Sequence, residues 1–333
     1  MRITRNVLIK IVHDTVEQRT RADRSLLAIY LCGSLLGEDY LLGGTADIDL
    51  VVVHLDNPAQ EREIVHLTDE VHLDIAHHLQ KDYRQSRRLR LHPWMGPTLF
   101  SCQSLYDPQH FLDFIQAGVR GQYDRSDYVV ERARKLVEPA RRLWLRTVQA
   151  NQPPAAPVVL GYLKALRNAA NAIASLSGPP LTERRFLLEF PARAEAINRP
   201  GLYPGILGLL GSTNLEANVL ETWLPVWEAA FQALGESAAP ARLHPDRRAY
   251  YQRSIEALIQ SGNWQAALWP LLHTWTLAVH TLGDRSELAQ PWQEAFTRLD
   301  LFGDGFAQRL EALDAYLDTV EETIDSWARA NGV

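Results

Sequence analysis

The chain has 333 residues, enough for two or three domains with a sizeable core, and its 46% hydrophobic and 22% charged residues exclude a disordered or collagen-like polymer. The net charge is −6, which argues against a simple polyanion binder, but it is uneven: residues 84–146 hold twelve Arg/Lys against six Asp/Glu, and residues 281–333 hold four against eleven. Two cysteines, Cys32 and Cys102, are too few for a disulfide framework or a Cys-rich zinc site, and their apolar settings suit free thiols in a reducing cytosol.

The first eighteen residues lack a long apolar core and a small-residue cleavage site, so the expectation is a cytoplasmic protein without a signal peptide. Ile3–Arg19 reads as an amphipathic helix with Ile3, Val7, Ile11 and Val12 on one side. Leu26–Cys32 reads as a buried strand closed by a Gly33-Ser34 turn. Asp47–His54, rich in valine, is a second strand. Pro58–Leu67 suits a short helix with a proline near its start. Val71–His77 alternates as a strand, and Thr98–Leu105 is a fourth strand candidate.

Beyond Tyr128 the pattern is helical. Val129–Val148 carries a basic face, residues 151–157 form a Pro-rich break, and Leu160–Leu176 follows. Gly205, Gly208 and Gly211 suit a loop or close helix packing, and Glu236–Pro245 is a second boundary candidate. Arg247–Gln260, Trp264–Leu282 and Phe306–Trp327 are the last long helices. Trp264–Leu282 is apolar, but Gln265, Pro270, His273 and His280 favour a buried helix over a membrane span. In the last helix Leu310, Leu313, Leu317, Val320, Ile324 and Trp327 step by three and four, a seam expected to pack within the chain rather than between two copies. Eight of the nine tryptophans lie beyond residue 140, where they would fill space between helices. The expected division is 1–120, 121–240 and 241–333, in a monomer or homodimer.

Chemistry concentrates in Gly33-Ser34 and Asp47-Ile-Asp49. Positions i and i+2 of a strand share a face, so Asp47 and Asp49 present two carboxylates together. Such a pair repels and calls for a cation. Hard oxygen ligands favour Mg²⁺, and two such ions, roughly 3.5–4 Å apart, can clamp the attacking and leaving oxygens of a phosphoryl transfer. Asp74 would add a third carboxylate from a neighbouring strand, with Glu70 and His72 on its face. Backbone N–H groups at the Gly33-Ser34 turn could hold a phosphate.

A strand ending in Gly33-Ser34, then Asp47-x-Asp49 on the next strand, then Asp74 in Val71-His-Leu-Asp-Ile-Ala resembles the polymerase-β-like nucleotidyltransferase superfamily. The likeness covers roughly residues 20–118 and includes Ser104-Leu-Tyr-Asp-Pro108 as a fourth strand and its exit. The helical remainder makes the layout similar to the aminoglycoside adenylyltransferase type. The resemblance implies an α+β protein, a nucleotidyltransferase fold of short mixed sheet and flanking helices followed by an all-α helical bundle. It implies a Mg²⁺-dependent transfer of a nucleoside monophosphate, AMP from ATP first, to an acceptor hydroxyl with release of pyrophosphate. Asp47, Asp49 and Asp74 would hold the metal, Asp74 would also be the candidate base, and Gly33 and Ser34 would grip the triphosphate. Relatives of this kind supply a lysine from the helical domain, for which Lys164 and Lys135 are placed. Lys164, Asn168 and Asn171 form one helical stripe. One departure is Ala46, where relatives often have Ser, after Thr45.

A small-molecule acceptor is expected over a nucleic acid. The rivals are a non-catalytic or toxin–antitoxin-type module and an enzyme modifying tRNA or protein. The first is weakened because the only Arg-x₄-His spacing, Arg87 to His92, lies in the first domain. The second would use Arg84, Arg87, Arg88 and Arg90 as its grip, although such a cluster is ordinarily a solvated face. No nucleophile elbow or P-loop is present.

Overall fold

The computed structural model describes residues 3–235, 239–283 and 286–333. The chain divides into two units, one up to Tyr123 and one from Asp124 onward. Residues 121–240 and 241–333 share the second unit apart from 121–123; of the boundary candidate at 236–245, residues 236–238 lie outside the described residues.

In the first unit the Thr4 side chain accepts from the Val7 N–H and opens α1 (Arg5–Ala22). Its buried residues are Leu8, Val12 and Val16, spaced by four; of the expected side Val12 is among them, and Ile3 and Ile11 pack partly buried against the same cluster. Four strands follow: β1 (Leu26–Cys32), β2 (Ala46–His54), β3 (Arg62–Thr68) and β4 (Val71–Leu79). Short helices α2 (Ser86–Arg90) and α3 (Met95–Ser101) lead to β5 (Gln103–Tyr106) and then α4 (Phe111–Arg120). The sheet order is β3-β4-β2-β1-β5, with β2 and β4 parallel and every other pair antiparallel.

Two sequence expectations fail here. The helix expected at Pro58–Leu67 is instead edge strand β3. Ile64 and Val65 carry strand propensity, and pairing with β4 satisfies one side of its backbone. Of the strand expected at Thr98–Leu105 only residues 103–105 are strand, as part of β5. Residues 95–101 are helical, and Gly96 packs so tightly that a Cβ would lie 2.9 Å from the carbonyls of Leu89 and Arg90.

Strand alternation sorts the sheet into two faces. Ile29, Leu31, Ile48, Leu50, Leu73 and Ile75 meet the buried residues of α1. Tyr30, Val51 and Val53 meet Leu89, Leu99, Leu112 and Ile115 from α2, α3 and α4. The second face is also the face of Asp49, because Asp49 and Val51 are two apart. The carboxylates therefore share a face with a packed apolar cluster that fixes the strands beneath them.

The second unit is helical among its described residues: α5 (Ser126–Ala150), α6 (Ala156–Ala174), α7 (Phe186–Ala196), α8 (Leu202–Leu209), α9 (Ala217–Gln232), α10 (Arg248–Gln260), α11 (Trp264–Leu282), α12 (Ala289–Arg298) and α13 (Phe306–Ala330). Helix α11 packs against α6, α7, α9, α10 and α12. Its threonines serve the neighbouring indoles: Trp227 donates to Thr274 at 2.9 Å and Trp292 to Thr276 at 3.1 Å. The α13 seam packs on α5 and α6 of the same chain, with Leu313, Leu317, Val320 and Ile324 buried. Its acidic face takes Arg141 of α5 on Asp314, Asp318 and Glu321, and Arg134 on Asp325. Gly205 lets α8 approach α13, since a Cβ there would come within 3.0 Å of the Tyr316 ring. Among the described residues no helix is long and apolar enough to cross a membrane.

Candidate metal centre

The carboxylates meet where β1 ends and β2 and β4 begin. Parallel pairing sets Asp49 opposite Asp74 and Asp47 opposite His72, and antiparallel pairing sets Cys32 opposite Asp49. All five side chains consequently share one face. One oxygen from each of Asp47, Asp49 and Asp74 lies within 4.8 Å of the other two. Asp47 and Asp74 are buried, and Asp49 is half-buried.

Three carboxylates at this spacing repel, and burial strengthens the repulsion. The neighbouring thiol registers that field. Burial pushes the Cys32 thiol well above its usual value, and the charges of Asp49 and Asp74 push the same way. Cys32 is thus held as a thiol, its Sγ 3.6 Å from the Asp49 carbonyl oxygen.

Gly33 closes β1 with φ 77° and ψ −162°, a region open in practice to glycine alone. A Cβ on Gly33 would lie 1.9 Å from Asp49 Oδ2, so the Asp49 carboxylate rests directly against the turn. Ser34 then begins a single 3₁₀ turn, Ser34–Leu36, rather than a long helix. The turn therefore brings no helix macrodipole to a phosphate.

Arg62, which sequence reasoning missed, lies beside the group. Its Nε donates to Asp74 Oδ1 at 2.5 Å and its Nη2 to Oδ2 at 2.6 Å. Arg62 faces Ala76 in the register and Ile64 faces Asp74, so the pair is a diagonal cross-strand contact. Reading residues 58–67 as a helix hid it. The alternation Arg62-x-Ile64-x-His66 was the available signal.

The donor set fits a hard divalent cation: three carboxylates, two of them buried, with Gly33 keeping a side chain out of the space beside Asp49. Lys164 is exposed on α6 of the second unit, and Lys135 of α5 pairs with Glu131 at 3.5 Å. The stripe below Lys164 turns inward. Asn168 is buried, and Asn171 is fully buried, accepting from the Leu181 N–H at 2.6 Å and donating to its carbonyl. Ala46 is buried, and Thr45 before it donates to the Leu42 carbonyl at 2.9 Å. Arg84, Arg87 and Arg88 are exposed, while Arg90 donates to the Gly118 carbonyl. No protein-family model matches the chain, and no curated protein matches it.

Proposed function

We propose that the first unit is a nucleotidyltransferase of the polymerase-β-like type, moving a nucleoside monophosphate from an NTP, ATP first, to an acceptor hydroxyl. The supporting observation is the convergence of Asp47, Asp49 and Asp74 within 4.8 Å, beside the Gly33 turn that packs against Asp49. In the reaction the acceptor oxygen forms a bond to the α-phosphorus. The bond from that phosphorus to the bridging oxygen breaks, pyrophosphate leaves, and the hydroxyl proton passes to solvent or a base. Bound Mg²⁺ would supply charge neutralisation for the triphosphate and its leaving group.

Asp47 and Asp49 hold the metal from one strand face. Asp74 adds charge and shape from β4. Both of its oxygens already accept from Arg62, so we assign it to the metal pocket rather than to taking the acceptor proton. The Gly33-Ser34 backbone is the phosphate-facing turn. A small-molecule acceptor suits the chain better than a nucleic acid, because Arg134 and Arg141 of α5 are engaged by acidic residues of α13 and Lys135 by Glu131. The test is pyrophosphate release with each NTP and Mg²⁺ over a panel of hydroxyl acceptors, with Asp47→Asn as control. Release that depends on NTP, acceptor and Asp47 is expected. No release with any pair, from folded protein that also fails to bind Mn²⁺, would overturn the reading.

A further inference from the structure

The carboxylate group already has a cation. Arg62 reaches in from the edge strand β3 with its side chain 47% exposed, onto an Asp74 side chain that is 1% exposed. The contact is a fork on a fork, two parallel N–H···O bonds that fix the carboxylate's plane as well as its position. A guanidinium stays charged at any pH the protein survives. Its influence extends past Asp74: the field at Cys32, opposite Asp49, contains the two carboxylates and Arg62 with opposite sign. Three carboxylates and one fixed positive charge therefore share this end of the sheet.

We propose that Arg62 is the resident counter-cation of this site, and that divalent-cation affinity is set by competition between Arg62 and the metal for Asp74. The proposal rests on the metal-centre reading above. Without metal, Arg62 offsets part of the repulsion among the carboxylates and fixes the Asp74 side chain within the sheet. With metal, the same positive charge opposes the incoming cation. Arg62 is a positioning residue, acting through Asp74. Its half-exposed stem on an edge strand leaves it room to swing away, which a buried arginine would lack.

The two roles separate by sign. Removing the charge should destabilise the metal-free protein yet tighten metal binding. A merely structural ion pair would give the first effect and not the second. The experiment measures Mn²⁺ binding by paramagnetic resonance, without nucleotide, for the full chain and for Arg62→Met, Arg62→Lys and Asp47→Asn. Thermal unfolding in EDTA and in Mn²⁺ runs in parallel. Arg62→Met is expected to bind Mn²⁺ about tenfold tighter, the scale of one lost charge interaction. Its metal-free Tm should fall, and its Tm gain on adding Mn²⁺ should exceed that of the unaltered protein. Arg62→Lys, which keeps the charge, should stay near the unaltered affinity. Should Arg62→Met fail to fold, Arg62→Gln keeps one donor without the charge and is expected to shift affinity the same way. Mn²⁺ affinity equal or weaker in the neutral variants overturns the proposal. Absence of Mn²⁺ binding in the unaltered protein, indistinguishable from Asp47→Asn, overturns the metal-centre reading and the proposal with it.

Discussion

Gly33 and Asp49 touch: a Cβ on the glycine would lie 1.9 Å from Oδ2 of the aspartate. The turn at the end of β1 and the carboxylate on β2 are thus one unit of structure. They are joined by the antiparallel pairing of Cys32 with Asp49.

Gly33→Ala should therefore damage the site twice. It forces a side chain into a backbone region that glycine alone tolerates, a cost of about 1–3 kcal/mol, and it pushes the Asp49 carboxylate aside. The expected outcome is a lower Tm together with loss of Mn²⁺ binding. A variant that folds, binds Mn²⁺ normally and keeps its Tm would show that the close contact has no functional weight.

Asp47→Asn and Asp49→Asn should act differently. Each removes a metal ligand and also relieves repulsion among clustered carboxylates. Nucleotidyl transfer should vanish, while the Tm in EDTA holds or rises and the Tm gain from Mn²⁺ disappears. Full turnover in either variant would remove these residues from the centre.

How much of this was legible depended on burial. Strands β1, β2 and β4 announced themselves because their apolar runs lie in the sheet's interior, where Val51, Val52 and Val53 can only be core. Asp47, Asp49 and Asp74 followed from strand period and register. Edge strand β3 was hidden, since one side of its ladder is unpaired and its outward residues need not be apolar. Arg62 was lost with it: a diagonal contact across two strands cannot be seen until both strands are assigned. Asn171 shows the opposite failure. Helical spacing correctly put it on the Lys164 stripe, but spacing alone does not tell a wet polar face from a buried one that grips a loop.

Asn171→Ala tests that last distinction. It leaves the buried N–H and carbonyl of Leu181 without their side-chain partner, which should cost about 1–3 kcal/mol. Denaturant unfolding followed by tryptophan fluorescence should register the loss. Mn²⁺ affinity should not change. Unaltered stability would return Asn171 to the class of solvated polar residues.

Acid should loosen the two units in different pH ranges. Burial holds His54, His77 and His78 below the usual imidazole value; His77 adds to it at His54, while at His77 the Glu63 carboxylate pulls the other way and offsets only part of it. The fold prefers these rings neutral while the unfolded chain takes a proton near 6.5, so their contribution is full above 6.5 and is lost as pH falls below it. In the helical unit burial would raise Glu183, but His273, Arg242 and Arg167 outweigh it and bring the carboxyl from 4.5 down to about 2. That contribution is full above 4.5 and drains away only between 4.5 and about 2. Amide protection factors in β1, β2 and β4, taken against the intrinsic exchange rate at each pH, should fall between pH 7 and 5, with the tryptophan signal still native. Tryptophan fluorescence changing first would contradict this order.

The exposed arginines of α2 should be dispensable for catalysis. Of the basic stretch 84–146, Arg134 and Arg141 are committed to α13, Lys135 to Glu131, Arg125 to Asp127, and Arg90 and Arg120 to the carbonyls of Gly118 and Phe100. In the first unit Arg87 and Arg88 remain as exposed charge on α2, with Arg84 exposed just before it; Arg142 and Arg146 are exposed on α5 of the second unit. Two residues on a five-residue helix and one just before it make a spot, and a nucleic acid needs a track. A protein making 6–10 phosphate contacts loses about 10³–10⁵ in affinity between roughly 50 and 200 mM salt. Arg87→Glu with Arg88→Glu should leave transfer to a small acceptor within about twofold and stability within about 0.5 kcal/mol, the ordinary range for surface changes. The salt dependence of acceptor KM should be shallow in both proteins. A steep dependence in the unaltered protein, abolished by the double substitution, would instead make α2 the grip for a polyanionic acceptor and replace the small-molecule reading.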